Sequence, residues 1–260
     1  MNKMRNTLTI VATTAVCFYC HAKGGNNNLT EDHVGEYKAV DLGLPSGTKW
    51  ANMNIGAISP EDHGLYFAWG ETTGYTSDTK DGRSFDWKSY KWMTEGQASA
   101  EKINKYQMAD RDFDSCWYDD NGYFIGDGKS TIEPSDDAAS VWWGDQWATP
   151  TIKEIRELIE HTTSELASVN NTNGIKLTSK INGNSIFLPV TGYRHQTTLR
   201  FPTTEGMYWS SSIFSMRGHS SSYNATILSF GSRDSYVSTH ISYLRCWGTC
   251  IRPVLRSKTK

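Results

Sequence analysis

The chain has 260 residues, with 26 Lys and Arg against 28 Asp and Glu, a formal net charge of −2. That balance excludes a nucleic-acid binder held by a basic face. Aromatic residues at 12% and charged residues at 21% exclude a disordered chain, and 22 Gly with seven Pro exclude a fibrous one.

Lys3 and Arg5 precede an uncharged run from Leu8 to Tyr19, the layout of a secretory n-region and h-region. The run is shorter than the roughly 20 residues a spanning helix needs. Cys20-His21-Ala22 offers a small-x-small cleavage site, so residues 1–22 read as a signal peptide and Lys23 as the first mature residue. Lipid on Cys17 or Cys20 is the competing reading, and such an anchor would be the protein's one membrane contact. Removing Lys3 and Arg5 takes the basic count from 26 to 24 against 28 acids, a formal charge of −4. Cys116, Cys246 and Cys250 remain, an odd number, so disulfides do not build this scaffold.

Residues 23–36, Asn- and Gly-rich, read as a flexible linker, and 37–256 as a single domain. Tyr37 to Leu42 alternates like a strand, Pro45-Ser46-Gly47 marks a turn, and Lys49 to Met53 reads as the return. Leu65 to Trp69 is another short apolar run. Thr72 to Glu133 is loop-like, and a stretch that long is either functional or stapled down by aromatics. In it Trp87 and Trp92 are candidates for an exposed surface. Two short helices follow. Asp136 to Val141 has Ser135 as its expected N-cap. The second starts at a Thr151–Glu154 capping box, with Ile152, Ile155, Leu158 and Ile159 on one face and Glu154, Glu157 and Glu160 toward solvent. Strands are expected at Ile175–Leu177, Ser185–Leu188, Met207–Ser212, Ala225–Phe230, Ser235–Thr239 and Thr249–Val254, the last an edge or terminal strand because of Pro253. The order predicts an α+β domain with its helices mid-chain.

Enzyme signatures are missing: no G-x-S-x-G, no H-E-x-x-H, and no C-x-x-C after the leader. Gly126 to Thr131 resembles the end of a phosphate loop, but Tyr123 stands where its first Gly belongs. Asp110, Asp112 and Asp114 alternate like a calcium loop, but Ser115 and Asn121 stand where Gly and Glu are required. Cys246 and Cys250 could pair across a Trp247-Gly248 turn, and no His or Cys around them supports a metal. No catalytic residue, metal or cofactor is expected.

Several stretches together resemble the Fibrobacter succinogenes major paralogous domain, common in exported proteins of Bacteroides and relatives. They are Ala39 to Ala51 (AVDLGLPSGTKWA), Tyr66 to Thr72 (YFAWGET), Glu133-Pro134-x-Asp136-Asp137-Ala138-Ala139, Trp143-Gly144-x-x-Trp147-x-x-Pro150-Thr151, Asn184 to Pro189 with Gly192-Tyr193-Arg194, Tyr208 to Ser212, and Gly248-x-x-Ile251-Arg252-Pro253-Val254. The family is similar to C-type-lectin-like domains, a group that includes formylglycine-generating enzymes and the variable receptors of diversity-generating retroelements. The resemblance implies a C-type-lectin-like α+β domain of antiparallel strands, two short helices mid-chain, paired terminal strands and a variable loop surface for ligands. Ala148 and Cys250 depart from the family, where Arg and Ser are usual. Neither Glu-Pro-Asn nor Trp-Asn-Asp occurs, so calcium-dependent sugar binding is not implied.

The functional expectation is an exported or cell-surface, non-catalytic binding module, receptor- or adhesin-like, for a protein or glycan ligand. A structural surface or fimbria-like subunit, a diversified retroelement receptor, and a formylglycine-type enzyme using Cys246 and Cys250 are the alternatives. The expected ligand surface is a polar-aromatic set: Arg217, His219, Tyr223, Arg233, Asp234, Tyr236, His240, Tyr243, Arg245 and Trp247. These residue types make adaptable contact surfaces, and connections on a rigid scaffold are where binding residues concentrate.

Overall fold

The computed structural model describes residues 36–109, 117–216, 219–233 and 235–256, without the side chains of 216, 219 and 220. The expected signal peptide, nearly all of the expected linker and the Asp110–Asp114 run lie outside the described residues. In chain order the strands begin with β1 (Ala39–Val40), β2 (Lys49–Ala51) and β3 (Phe67–Ala68). Helix α1 (Ala138–Trp143), strand β4 (Trp147–Ala148) and helix α2 (Ile152–His161) follow. Then come β5 (Thr162–Val169), β6 (Thr172–Ser179), β7 (Ser185–Pro189), β8 (Tyr193–His195) and β9 (Thr198–Arg200). The long pair β10 (Glu205–Met216) and β11 (His219–Gly231) precedes β12 (Val237–Ser238), β13 (Ser242–Leu244), β14 (Gly248–Thr249) and β15 (Val254–Leu255). This is a mixed α+β fold, mostly β, built from small antiparallel sheets.

One sheet runs β1-β2-β15-β4, with Val254 opposite Trp50 on one side and Ala148 on the other. The ends of the domain therefore share a sheet, but β2 stands between the first and last strands. Pro253 does not make β15 an edge, because it lies just before the strand and removes no ladder donor. A second sheet is the β10–β11 hairpin with β12 and β13 on the free edge of β11. A third runs β3-β14-β8-β9, and a fourth β5-β6-β7.

Helix α2 forms as its sequence dictates. The Thr151 side chain accepts from the Glu154 N–H, and the Glu154 carboxylate accepts from the Thr151 N–H at 2.7 Å. Ile155 and Leu158 are fully buried. The acidic stripe is not simply solvated, however: Glu154 takes Arg256 at 2.8 Å, and Glu157 accepts from Ser46. Helix α1 is capped by Asp137, not Ser135, because Pro134–Asp136 forms a separate 3-10 turn. Strand β5 was not expected; its polar residues are mostly exposed on both faces, so it lacks the alternation that marks a strand.

The many aromatics are explained by how they are satisfied. The Trp69 indole donates to the Ser210 carbonyl and the Trp209 indole to that of Phe67, both at 2.8 Å, clamping β3 to β10. Tyr66 donates to the Thr191 carbonyl and Tyr90 to that of Trp69. Each ring thus buries a large apolar body with its polar tip paired. The long loop is stapled down in the same way. Phe85 and Tyr106 are fully buried, the Asp81 carboxylate grips the Arg194 guanidinium with both oxygens, and Glu71 does the same for Arg83. Trp87 and Trp92 are half-buried and pack on the core instead of forming an exposed surface.

Candidate functional site

Three parts of the chain meet at one aromatic corner. Strand β8 supplies Tyr193 and His195. The β8–β9 connection is held at Gln196, whose backbone exchanges two 3.0 Å hydrogen bonds with Phe85. Beyond β9 the chain doubles back between Phe201 and Glu205, where the Phe201 carbonyl accepts from the N–H groups of Thr204 and Glu205. Phe201 has φ 51° and stands before Pro202. A bulky residue in that region is strained by about 1–3 kcal/mol, and the position before proline favours extended backbone. Gly192, at φ 60°, makes the turn possible, since a Cβ there would strike the Arg200 carbonyl.

The third part is the segment from β13 to β14. Strand β13 hangs on β11 and places Tyr243; a turn closed by the Trp247 N–H on the Leu244 carbonyl then places Trp247. Tyr193 stacks on Tyr243 at 4.9 Å and on Trp247 at 5.0 Å, while Tyr243 and Trp247 lie 4.9 Å apart. The His195 ring is 4.8 Å from Trp247, and Phe201 tilts against Tyr193 at 6.1 Å. Phe201 is 49% exposed; Tyr243, Trp247 and His195 are half-buried.

The electrostatics of this corner are unbalanced. Burial raises the Glu205 carboxyl above its ordinary range, and no neighbouring cation offsets that. Burial also pushes up the phenols of Tyr193 and Tyr243, and the Glu205 charge adds to both. Arg200, the cross-strand neighbour of Tyr193, acts the other way on Tyr193. Among the described residues Glu205 has no ion pair, and the Tyr193 and Tyr243 hydroxyls have no hydrogen bond.

The expected ligand set is split by the fold. Tyr243 and Trp247 are in the aromatic corner. Tyr223 is half-buried in β11 beside Trp117. Tyr236 and His240 are exposed and line a separate cavity of about 210 Å3 against Arg156 and Glu160 of α2. Arg233 is exposed on the turn after β11, and His219 opens β11 opposite Met216. Arg217 and Asp234 lie outside the described residues.

Arg245 must be withdrawn as a ligand residue. It is fully buried, and its guanidinium donates to the Tyr90 hydroxyl and to the carbonyls of Tyr106, Ser222 and Lys105 at 2.9–3.1 Å. It also lies 4.7 Å over the Trp69 ring. It is a strut between the long loop, β3 and β11. Conversely, Tyr193, His195, Phe201 and Glu205 were not expected here. Their one sequence signal is the Gly192-Tyr193-Arg194 motif, in which Gly192 makes a turn at φ 60° and Tyr193 and Arg194 are buried.

Cys246 and Cys250 are free and buried, so the pairing considered for them is not made. Burial pushes both thiols well up, which keeps them from being nucleophilic thiolates. Among the described residues no group of three or more His, Cys, Asp and Glu side chains could hold a metal ion. Comparison of the chain with protein families, with curated proteins and with solved structures finds no match.

Proposed function

We propose that this is an exported, non-catalytic binding module of the Fibrobacter succinogenes major paralogous type, with a C-type-lectin-like fold, and that its ligand sits on the aromatic corner. The observation that carries this reading is the corner itself. Aromatic rings from three segments converge at the surface beside a carboxylate and two phenols that the protein leaves unpaired. The fully buried polar tips of Trp69 and Tyr90 are paired inside the fold, whereas the carboxylate and phenols of the corner still reach solvent and are open to a ligand. The rings bury much area per side chain and lose little conformational entropy, so they suit an affinity-determining contact. The strain at Phe201 is stored at the same place.

The test is a screen of the mature chain on protein and glycan arrays, followed by the Trp247→Ala and Tyr243→Ala variants on every hit. A ligand lost by both variants, with their melting transitions still cooperative, supports the reading. A ligand retained by both places the binding surface elsewhere, with the Tyr236–His240 cavity next to be tested.

A further inference from the structure

We infer that the aromatic corner takes a cation: the ammonium or guanidinium of a lysine or arginine side chain carried by a protein partner. This rests on the ligand-binding reading above and names the chemistry of the ligand. Glu205 is the starting point. Its carboxyl loses hydration on folding, which raises its proton affinity, and no described cation pairs with it. A ligand that brings positive charge restores more of what desolvation took away than a neutral donor does, because a charge-assisted hydrogen bond to a carboxylate is the stronger one.

The rings point the same way. Elsewhere the molecule places its own cations on its aromatic side chains: Arg245 lies 4.7 Å over Trp69, and Lys91 and Lys105 lie 4.2 and 4.7 Å over Trp92. No described Lys or Arg side chain is so placed over Tyr193, Tyr243 or Trp247. Electron-rich rings beside a carboxylate are the usual setting for a cation. The phenol oxygens can accept from an ammonium or guanidinium, which only donates. Phe201, exposed and held out by its backbone, extends the wall along which the aliphatic stem of a lysine or arginine would lie. Arg200 is exposed on the strand beside Tyr193 and makes no ion pair with Glu205.

The experiment titrates the 15N-labelled mature domain with four small probes: the Nα-acetyl methylamides of lysine, arginine and norleucine, and methyl glucoside. The readout is the Trp247 indole N–H resonance, assigned with Trp247→Phe. Lysine and arginine are expected to shift it saturably, and norleucine and methyl glucoside are not. Glu205→Gln should weaken the lysine probe by about fivefold or more, and Tyr236→Ala should leave it unchanged. A shift with methyl glucoside but not with lysine overturns the cation and assigns a sugar. Equal shifts with norleucine and lysine reduce the corner to apolar contact. Unchanged lysine binding in Glu205→Gln, or no shift with any probe, also overturns the proposal. The broader reading fails separately, if array ligands survive Trp247→Ala.

Discussion

Replacing Arg245 by Ala is the sharpest test of the division between scaffold and binding surface. The substitution removes a guanidinium that serves four oxygens, three of them backbone carbonyls of Lys105, Tyr106 and Ser222. A buried acceptor left without its donor costs about 1–3 kcal/mol, and water entering the space recovers part of that. The stem and its packing on Trp69 are lost as well. A loss of about 4 kcal/mol or more is expected, a large fraction of the 5–15 kcal/mol typical of a domain. Urea denaturation followed by tryptophan fluorescence measures it, with Tyr236→Ala and His240→Ala as exposed controls expected within about 0.5 kcal/mol. A loss below about 1 kcal/mol for Arg245→Ala would refute the strut, because no buried four-bond network can be so weak. If the strut holds, loss of ligand binding in any Arg245 variant reports unfolding and not a lost contact.

Three further outcomes are expected. In α2, Thr151→Ala should cost about 1 kcal/mol by removing the cap, whereas Ile155→Ala should cost about 2–5 kcal/mol by opening a cavity; both are read from urea midpoints, and a neutral Ile155→Ala would mean that face is not core. Acid should unfold the domain as pH falls from about 4.5 toward about 2. Burial pushes Asp81 and Asp136 up, but Arg194 on the first, and Lys105 with Tyr106 on the second, outweigh it and hold both below the ordinary range. Lys105 and Lys129 hold Glu133 at about 2. A depressed folded-state value means stability is present above the unfolded-state value and lost on descending through the folded one. Asp137, raised by burial, contributes with the opposite sign. Asp136→Asn should make the acid loss of circular dichroism shallower, and an unchanged acid profile would remove Asp136 from the account. Finally, Cys246 and Cys250 should resist iodoacetamide in the native protein and react after urea; peptide mapping that finds either alkylated under native conditions would contradict their burial.

Local physics was legible in the chain. The α2 boundary follows from a Thr and a Glu three residues apart and from apolar residues at helical spacing, interactions that close within two turns. The β6 and β7 strands follow from short apolar runs beside an Asn-Gly turn. The two-residue period of a strand predicts Ala225, Ile227 and Val237 inward with their neighbours outward; all three are buried, but so are Thr226, Leu228, Ser229 and Phe230, because both faces of β11 pack against core clusters. Where local signals compete, the boundary shifts by a residue or two. Pro134 nucleates a 3-10 turn that uses Ser135, so the cap passes to Asp137.

What the tertiary structure decided is which polar residues are inside. Arg245 sits between Leu244 and Cys246 in a stretch rich in Tyr, His and Arg, and nothing in that neighbourhood separates it from a surface arginine. Its burial depends on carbonyls from residues 105, 106 and 222 and on a Trp69 ring 176 positions away. The aromatic corner has the same origin. Tyr193, Glu205 and Tyr243 are brought together because β8 and β13 belong to different sheets that meet there, and because Gly192 lets the Phe201–Glu205 turn lie close to β8. Sequence spacing encodes which face of an element is apolar; it does not encode which elements meet, so a site assembled between sheets is written only in the fold.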